Sequence, residues 1–209
     1  MPNRRGKGKQ HWRKEQRRDL YFRRAKEEGY RARSAYKLIQ IQDRFHILHR
    51  GDTVLDLGAA PGSWSQVVSE LVGSDGVVIA VDLQPIEPIE DVLTIQGDMM
   101  DPEVQEKAIS AAGGRVDVVL SDAAPNVSGI RVRDHAFSIE LVYAALSIAR
   151  RALKTGGSFV TKVFEGEDFP QLLVDLRTHF TRVRPFYPEA TRREGYEVFV
   201  VCQGFEDRR

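Results

Sequence analysis

A glycine turn followed by spaced carboxylates is the part of this sequence best suited to hold a reactive ligand. The stretch from Thr53 to Trp64 reads Thr-Val-Leu-Asp-Leu-Gly-Ala-Ala-Pro-Gly-Ser-Trp. Val54, Leu55 and Leu57 suit a short buried strand, Gly58 and Gly62 bracket a tight turn, and Ser63 is placed to cap a helix over Gln66 to Val72. Strand, glycine turn and helix form the nucleotide-handling corner of a doubly wound sheet. A dinucleotide fingerprint needs a second glycine there so that backbone can approach a pyrophosphate; here that position is Ala60, followed by Pro61. A nucleoside without phosphates is therefore expected. Asp82 ends the next apolar run, Val77 to Val81, where a carboxylate can accept from both ribose hydroxyls. Asp98 follows a third run, Val92 to Ile95, and can accept from an adenine amine, although alone it also suits a solvated surface. Together, Gly62, Asp82 and Asp98 point to an adenosine carrying no phosphate, which suggests S-adenosylmethionine as cofactor.

Lys162 is a second oddity. It lies in Val160-Thr-Lys-Val-Phe164, an apolar run in which a charge costs free energy unless it is paired or reaches the surface. Asp122 follows the run Val116 to Leu120, at a strand end where ligands and chemistry gather in open α/β sheets. Glu197 alternates with Val198 and Val200, and Lys37 sits in an apolar-leaning helix, where a lysine normally snorkels to water. Each of these four is a weak signal alone.

The elements that must position them read in order. Asp19 to Glu28 and Arg31 to Phe45 suit two helices, with Gly29 ending the first and Ser34 starting the second. Pro102 to Ala112 reads as a helix stopped by Gly113-Gly114, and Asn126 to Asp134 as a polar loop. Phe137 to Leu153 is the longest helical pattern, with Gly156-Gly157 as its stop, and Asp168 to His179 is the last. Ser158 to Val163 reads as a strand; Arg182 to Tyr187 and Tyr196 to Gln203 read as an antiparallel pair at the sheet edge, joined by a loop with Arg192 and Arg193. The expected fold is a doubly wound, mostly parallel, seven-stranded α/β sheet.

Length and composition agree with one such domain. The chain has 209 residues, 42% of them hydrophobic, enough for one sizeable core and short for two. There is no apolar run of membrane-spanning length, and no apolar segment follows the basic N-terminus as a secretory signal would require. The single cysteine, Cys202, cannot form an internal disulfide, which fits a reducing cytoplasm. No Cys/His cluster has metal-ligand spacing, so no metal is expected. The net charge of +1 hides an asymmetry: residues 1–35 carry 13 Lys/Arg against 4 Asp/Glu, and the rest carry 18 against 26. Residues 1–18 read as a basic, flexible tail that contacts a polyanion, with Trp12 available to stack on a base; residues 19–209 are the single folded domain.

Four segments carry a resemblance: Asp56-Leu-Gly-Ala-Ala-Pro-Gly-Ser-Trp-Ser-Gln66, Gln96-Gly-Asp98, Ser121-Asp-Ala-Ala-Pro-Asn126 and Thr161-Lys-Val-Phe-Glu-Gly166. Their order and spacing resemble the FtsJ (RlmE) family of ribosomal RNA ribose 2'-O-methyltransferases, from about Tyr21 to about Cys202. The resemblance implies a Rossmann-like methyltransferase fold and a Lys37–Asp122–Lys162–Glu197 catalytic tetrad. It also implies that Gly62, Trp64, Asp82, Asp98 and Asp122 hold S-adenosylmethionine. Trp64 suits core packing equally well on sequence alone. The substrate implied is large-subunit ribosomal RNA, methylated at a uridine ribose by a cytoplasmic monomer that needs no membrane. Ser63 stands where the family usually has a second glycine, and Ala123 where it has a bulkier apolar residue; neither belongs to the tetrad.

The tetrad's residue types suit the reaction. A ribose hydroxyl attacks a sulfonium methyl only as it loses its proton, and a neutral lysine amine can take that proton. Burial and a second lysine favour the neutral amine, whereas carboxylates favour the ammonium, and the sequence leaves the balance open. Lys162 is the expected proton acceptor; as an ammonium it would instead orient the hydroxyl and stabilise its developing charge. Competing readings are the same reaction on transfer RNA, a non-catalytic RNA-binding ribosome-assembly factor, and a dinucleotide oxidoreductase. Ala60 and Pro61 oppose the last.

Overall fold

The computed structural model describes residues 20–125, 128–191 and 196–207. The basic tail, Asn126, and the loop arginines Arg192 and Arg193 lie outside the described residues. Seven strands form one sheet: β1 (Thr53–Leu57), β2 (Val77–Asp82), β3 (Val92–Gln96), β4 (Val116–Ser121), β5 (Leu153–Phe164), β6 (Phe180–Phe186) and β7 (Glu197–Phe205). Their order is β3-β2-β1-β4-β5-β7-β6. β1 to β5 pair in parallel, and β7 runs antiparallel to both β5 and β6. The last two strands are the expected antiparallel pair at the sheet edge. β7 is inserted inside β6, which alone forms that edge.

The helices are α1 (20–27), α2 (Ala35–Phe45), α3 (Ser63–Val72), α4 (Pro102–Ala111), α5 (Arg131–Ala152) and α6 (Phe169–Arg177). Alternation along the strands builds a core on each face of the sheet. Leu55, Leu57, Ile79, Val119, Phe159 and Val163 pack with α5 and α6 residues such as Val142, Ala149 and Leu172. Val54, Val78, Val118, Leu120, Val160, Phe199 and Val201 pack with Leu38 and Ile41 of α2 and Val67 and Val68 of α3. The inward faces of α2 and α3 are thus set against the same side of the sheet.

Several expected boundaries move. Ser63 does not cap α3: Gly62 occupies that position at φ 104°, and Ser63 is already helical and buried. Ser34 takes the expected N-cap position of α2, which begins at Ala35, but its side chain makes no cap bond; the Ser34 and Ser63 hydroxyls instead bond each other at 2.7 Å, tying the two helix starts together. Helix α5 begins at Arg131, not Phe137, because Asp134 makes its polar first turn favourable. The buried Asp134 carboxylate accepts from the Ser128 hydroxyl and from the Ser128 and Gly129 amides. Those bonds, led by the Ser128 hydroxyl, hold its carboxyl below the usual range. Gly156-Gly157 does not stop α5. The chain becomes extended at Leu153, and the glycines sit inside β5, where its pairing with β4 shifts register.

Candidate active site

The alternation that builds the α2 face also aims the chemistry. Val54 and Asp56 share a face of β1; Leu120 and Asp122 share one side at the end of β4; Val160 and Lys162 share a face of β5. Lys162 pairs with Phe199 across β5 and β7, and Phe164 with Glu197. Asp56, Asp122, Lys162 and Glu197 thus point to the side on which α2 carries Lys37. They come together where the parallel strands end, the position at which open α/β sheets bind ligands.

Two ion pairs result. Lys37 Nζ donates to Glu197 Oε1 at 2.5 Å and stands 5.4 Å from the centre of the Phe199 ring. Lys162 Nζ donates to the Asp122 backbone carbonyl at 2.5 Å and to Asp122 Oδ1 at 2.8 Å. Both lysines are 8% exposed. The pairs are coupled. Burial alone would raise the Asp122 carboxyl, but the Lys162 and Lys37 ammonium groups and the Lys162 hydrogen bond outweigh it and hold it below the usual carboxylate range. The four sequence-predicted catalytic residues therefore form one cluster.

The glycine corner lies beside it. Gly58 has φ 71°, and a Cβ there would stand 2.6 Å from Ala123 Cα, so only glycine permits the ends of β1 and β4 to approach so closely. A smaller Ala123 still fills that contact. The Ala60–Pro61 peptide is cis. A Cβ on Gly62 would meet Ile89 Cδ1 at 2.6 Å. The β2–β3 loop packs down here because Arg31 donates to the carbonyls of Pro61, Glu87 and Pro88. Asp82 accepts from Ala60 N through Oδ2 (2.9 Å) and from Gln84 N through Oδ1 (2.8 Å), leaving each oxygen a lone pair for a ligand hydroxyl. Asp98 is exposed and accepts from Met100 N through Oδ1. Trp64 is 2% exposed, donates through Nε1 to the Ser34 carbonyl and packs against Phe199, so its side chain belongs to the core. What Trp64 can present to the turn is backbone.

Sequence reasoning quoted Asp56 without giving it a role. It is fully buried; Oδ2 accepts from Ser65 at 2.6 Å, and Oδ1 has no partner among the described residues. Burial, opposed by the Ser65 bond and aided by the Asp122 and Asp82 charges, pushes its carboxyl up to about 7. A lone Asp in the apolar run Val-Leu-Asp-Leu was the signal. Arg31 and His135 were also missed. His135 Nδ1–H donates to the Phe164 carbonyl and Nε2 accepts from Asp168 N, which anchors the exit of β5 beyond Lys162; an isolated histidine in a helix gives no sequence signal for that.

The corner fits the expected cofactor. Asp56, Asp82, Asp98 and Asp122 make it rich in carboxylates, which repel a pyrophosphate and favour a cationic ligand such as a sulfonium. The orphaned Asp56 Oδ1 and the free lone pairs of Asp82 are acceptors suited to an ammonium group and ribose hydroxyls. Among the described residues no group of His, Cys, Asp and Glu could hold a metal ion.

A doubly wound sheet with its carboxylates and paired lysines at the strand ends defines a nucleoside-dependent group-transfer enzyme. The FtsJ-like methyltransferase family profile matches residues 30–205, and the chain belongs to that family. It is 55% identical over 183 residues to a ribosomal RNA large subunit methyltransferase E of Methanothrix thermoacetophila, covering 88% of this chain and 71% of that protein. A second protein so named, from Methanothermobacter thermautotrophicus, is 45% identical and is covered to 94%, as is this chain. Among solved structures, a ribosomal RNA methyltransferase from Plasmodium falciparum superposes with a TM-score of 0.77 at 29% identity, over 84% of this chain and 98% of that one.

Proposed function

We propose that this protein transfers a methyl group from S-adenosylmethionine to the ribose 2'-hydroxyl of a uridine in large-subunit ribosomal RNA, acting in the cytoplasm as a monomer. The observation that carries the reading is the convergence of Lys37–Glu197 and Lys162–Asp122 beside a carboxylate-lined nucleoside corner. Family membership and the names of the relatives support it. S-adenosylmethionine, when bound, supplies an electrophilic methyl group. Gly62, the Trp64 backbone, Asp82, Asp98 and Asp122 hold it, and Asp56 faces its positive end.

Lys162 acts on the incoming hydroxyl. A lysine nitrogen has three positions besides its carbon, and the two bonds to Asp122 occupy two of them. The third carries a proton in the ammonium and a lone pair in the amine. As the amine, Lys162 keeps both bonds to Asp122 and accepts the ribose proton through the third position. Asp122 thus orients the acceptor as well as balancing its charge. Lys37, held by Glu197, contributes a second positive charge at the site. General base action of this kind is worth about 10²–10⁴-fold, and holding hydroxyl and methyl in line supplies a further share.

Mapping ribose methylation on total RNA from cells with and without the protein tests the proposal. The expected result is one 2'-O-methyl mark missing from large-subunit ribosomal RNA. A mark missing only from transfer RNA would move the substrate, and an unchanged map would leave an RNA-binding assembly role.

A further inference from the structure

A cleft of about 540 Å³ opens between the last turn of α2 and the edge strand β6, away from the tetrad. Arg44, Phe45, Arg182, Arg184, Pro185 and Phe186 line it, with Gln203 of β7. Register explains the clustering. Arg182 pairs with Gln203, Arg184 with Val201 and Phe186 with Phe199, so these β6 side chains share the sheet face that α2 covers. Helix α2 does not extend over β6, which leaves both strand arginines exposed. Phe45 meets Phe186 edge to face at 5.3 Å, and Gln203 donates to the Phe45 carbonyl, so the wall between helix and strand is built, not open. Among the described residues, none of Arg44, Arg182 and Arg184 has a carboxylate within 4.0 Å, whereas Arg24, Arg115 and Arg151 all do.

Three guanidinium groups sharing one cleft without counter-charges repel one another, and an anion relieves that repulsion. Guanidinium forks suit phosphate oxygens, and an aromatic wall suits a base or ribose. From these observations we infer that the cleft is a second RNA-contact site, which grips the phosphate backbone of the substrate at a point remote from the methylated nucleotide. The inference rests on the proposed RNA substrate. β7 connects the two places: Glu197 is in the tetrad, and Val201, beside Arg184, lies four residues further on, about 13 Å away at the rise of a strand. Lys37 and Arg44 likewise stand at opposite ends of α2. An RNA lying along α2 and β7 therefore meets the catalytic lysines at one end and this cleft at the other. Charged edge strands also discourage unwanted strand pairing. That alternative accounts for Arg182 and Arg184 but not for Arg44, which is on a helix.

The test compares the full-length protein with its Arg44→Gln/Arg182→Gln/Arg184→Gln variant on two RNAs. One is a large-subunit ribosomal RNA fragment containing the methylated nucleotide in its surrounding structure. The other is a short strand trimmed to that nucleotide and its nearest neighbours. On the fragment, KM should rise about tenfold or more with kcat unchanged, and the slope of log affinity against log salt should fall by about 2–3 as three phosphate contacts are lost. The short strand should show no change. An unchanged KM and salt slope on the fragment would overturn the inference, as would a variant that merely aggregates through its edge while binding RNA normally. A wild-type protein that methylates neither RNA would instead refute the proposed substrate.

Discussion

Replacing Lys162 by Met removes the ammonium while keeping an unbranched side chain of similar length. Two hydrogen bonds to Asp122 are lost, at 2.5 and 2.8 Å, and the Asp122 carboxylate keeps no hydrogen-bond partner among the described residues, in a site where the two side chains are only 9% and 17% exposed. A hydrogen bond to a charged group is worth about 1.5–3 kcal/mol, and breaking a buried pair costs about 3–5 kcal/mol; the partial exposure of Asp122 places the expected loss near 3 kcal/mol at pH 7. The loss depends on pH in a definite direction. Asp122 has a folded-state pKa below its ordinary 3.8, so its contribution is full above about pH 4 and disappears as pH falls through the folded-state value. The variant should therefore be much less stable than wild type at pH 7 and closer to it near pH 3, as read by denaturant unfolding at both pH values. Methyl transfer in single-turnover assays should fall about 10²–10⁴-fold with S-adenosylmethionine affinity largely retained. Lys162→Arg should not rescue the rate, since a guanidinium cannot accept a proton. A stability loss equal at both pH values would refute the charged Asp122 partnership. Turnover within tenfold of wild type for either variant would refute Lys162 as the proton acceptor.

Asp82→Ala should weaken S-adenosylmethionine binding by about 1.5–3 kcal/mol in calorimetry and free the Ala60 amide. Asp56, with its carboxyl raised to about 7, takes up a proton on folding, so it lowers stability as pH rises from about 4 to about 7; Asp56→Asn should flatten the unfolding free energy over that window. Deleting residues 1–18 should leave cofactor affinity unchanged while lowering RNA affinity and flattening its salt dependence, measured at several salt concentrations.

Much of the fold was legible because the sheet is buried on both faces. Val77 to Val81 is a continuous apolar run that ends at Asp82, and Val116 to Leu120, interrupted only by Asp117, leads through Ser121 to Asp122. Two of the misjudged boundaries turn on a polar residue whose hydrogen-bond partner lies outside its own helix. Ser63 has a cap residue's chemistry, yet its hydroxyl is taken by Ser34, and the polar Arg131 to Asp134 turn is helical because Asp134 satisfies the preceding loop. The position of β7 was not readable either, since two consecutive antiparallel strands give no sign of which lies inward. In the site, the proposed tetrad was suggested by resemblance, whereas the orphaned Asp56 oxygen and the Arg31 clasp depend on packing that no local pattern encodes.

On the proposed mechanism, the inward position of β7 sets when the enzyme becomes competent. Lys37 and Glu197 are 160 residues apart, so their contact is among the last that a growing chain can make. Until β7 emerges and slots between β5 and β6, Lys162 lacks the neighbouring strand that carries Phe199, and Lys37 lacks its carboxylate. Closing so long a loop costs entropy before any contact repays it, and such distant strand pairing is slow. The hydrogen bonds that shape the β1 corner, from Arg31, Ala60 and Gln84, involve only earlier residues, so the corner proposed to receive the cofactor can begin to order first. A nascent chain would pass through a stage with a nucleoside pocket but no working tetrad, and methylation would begin only when the C-terminal strand locks the sheet.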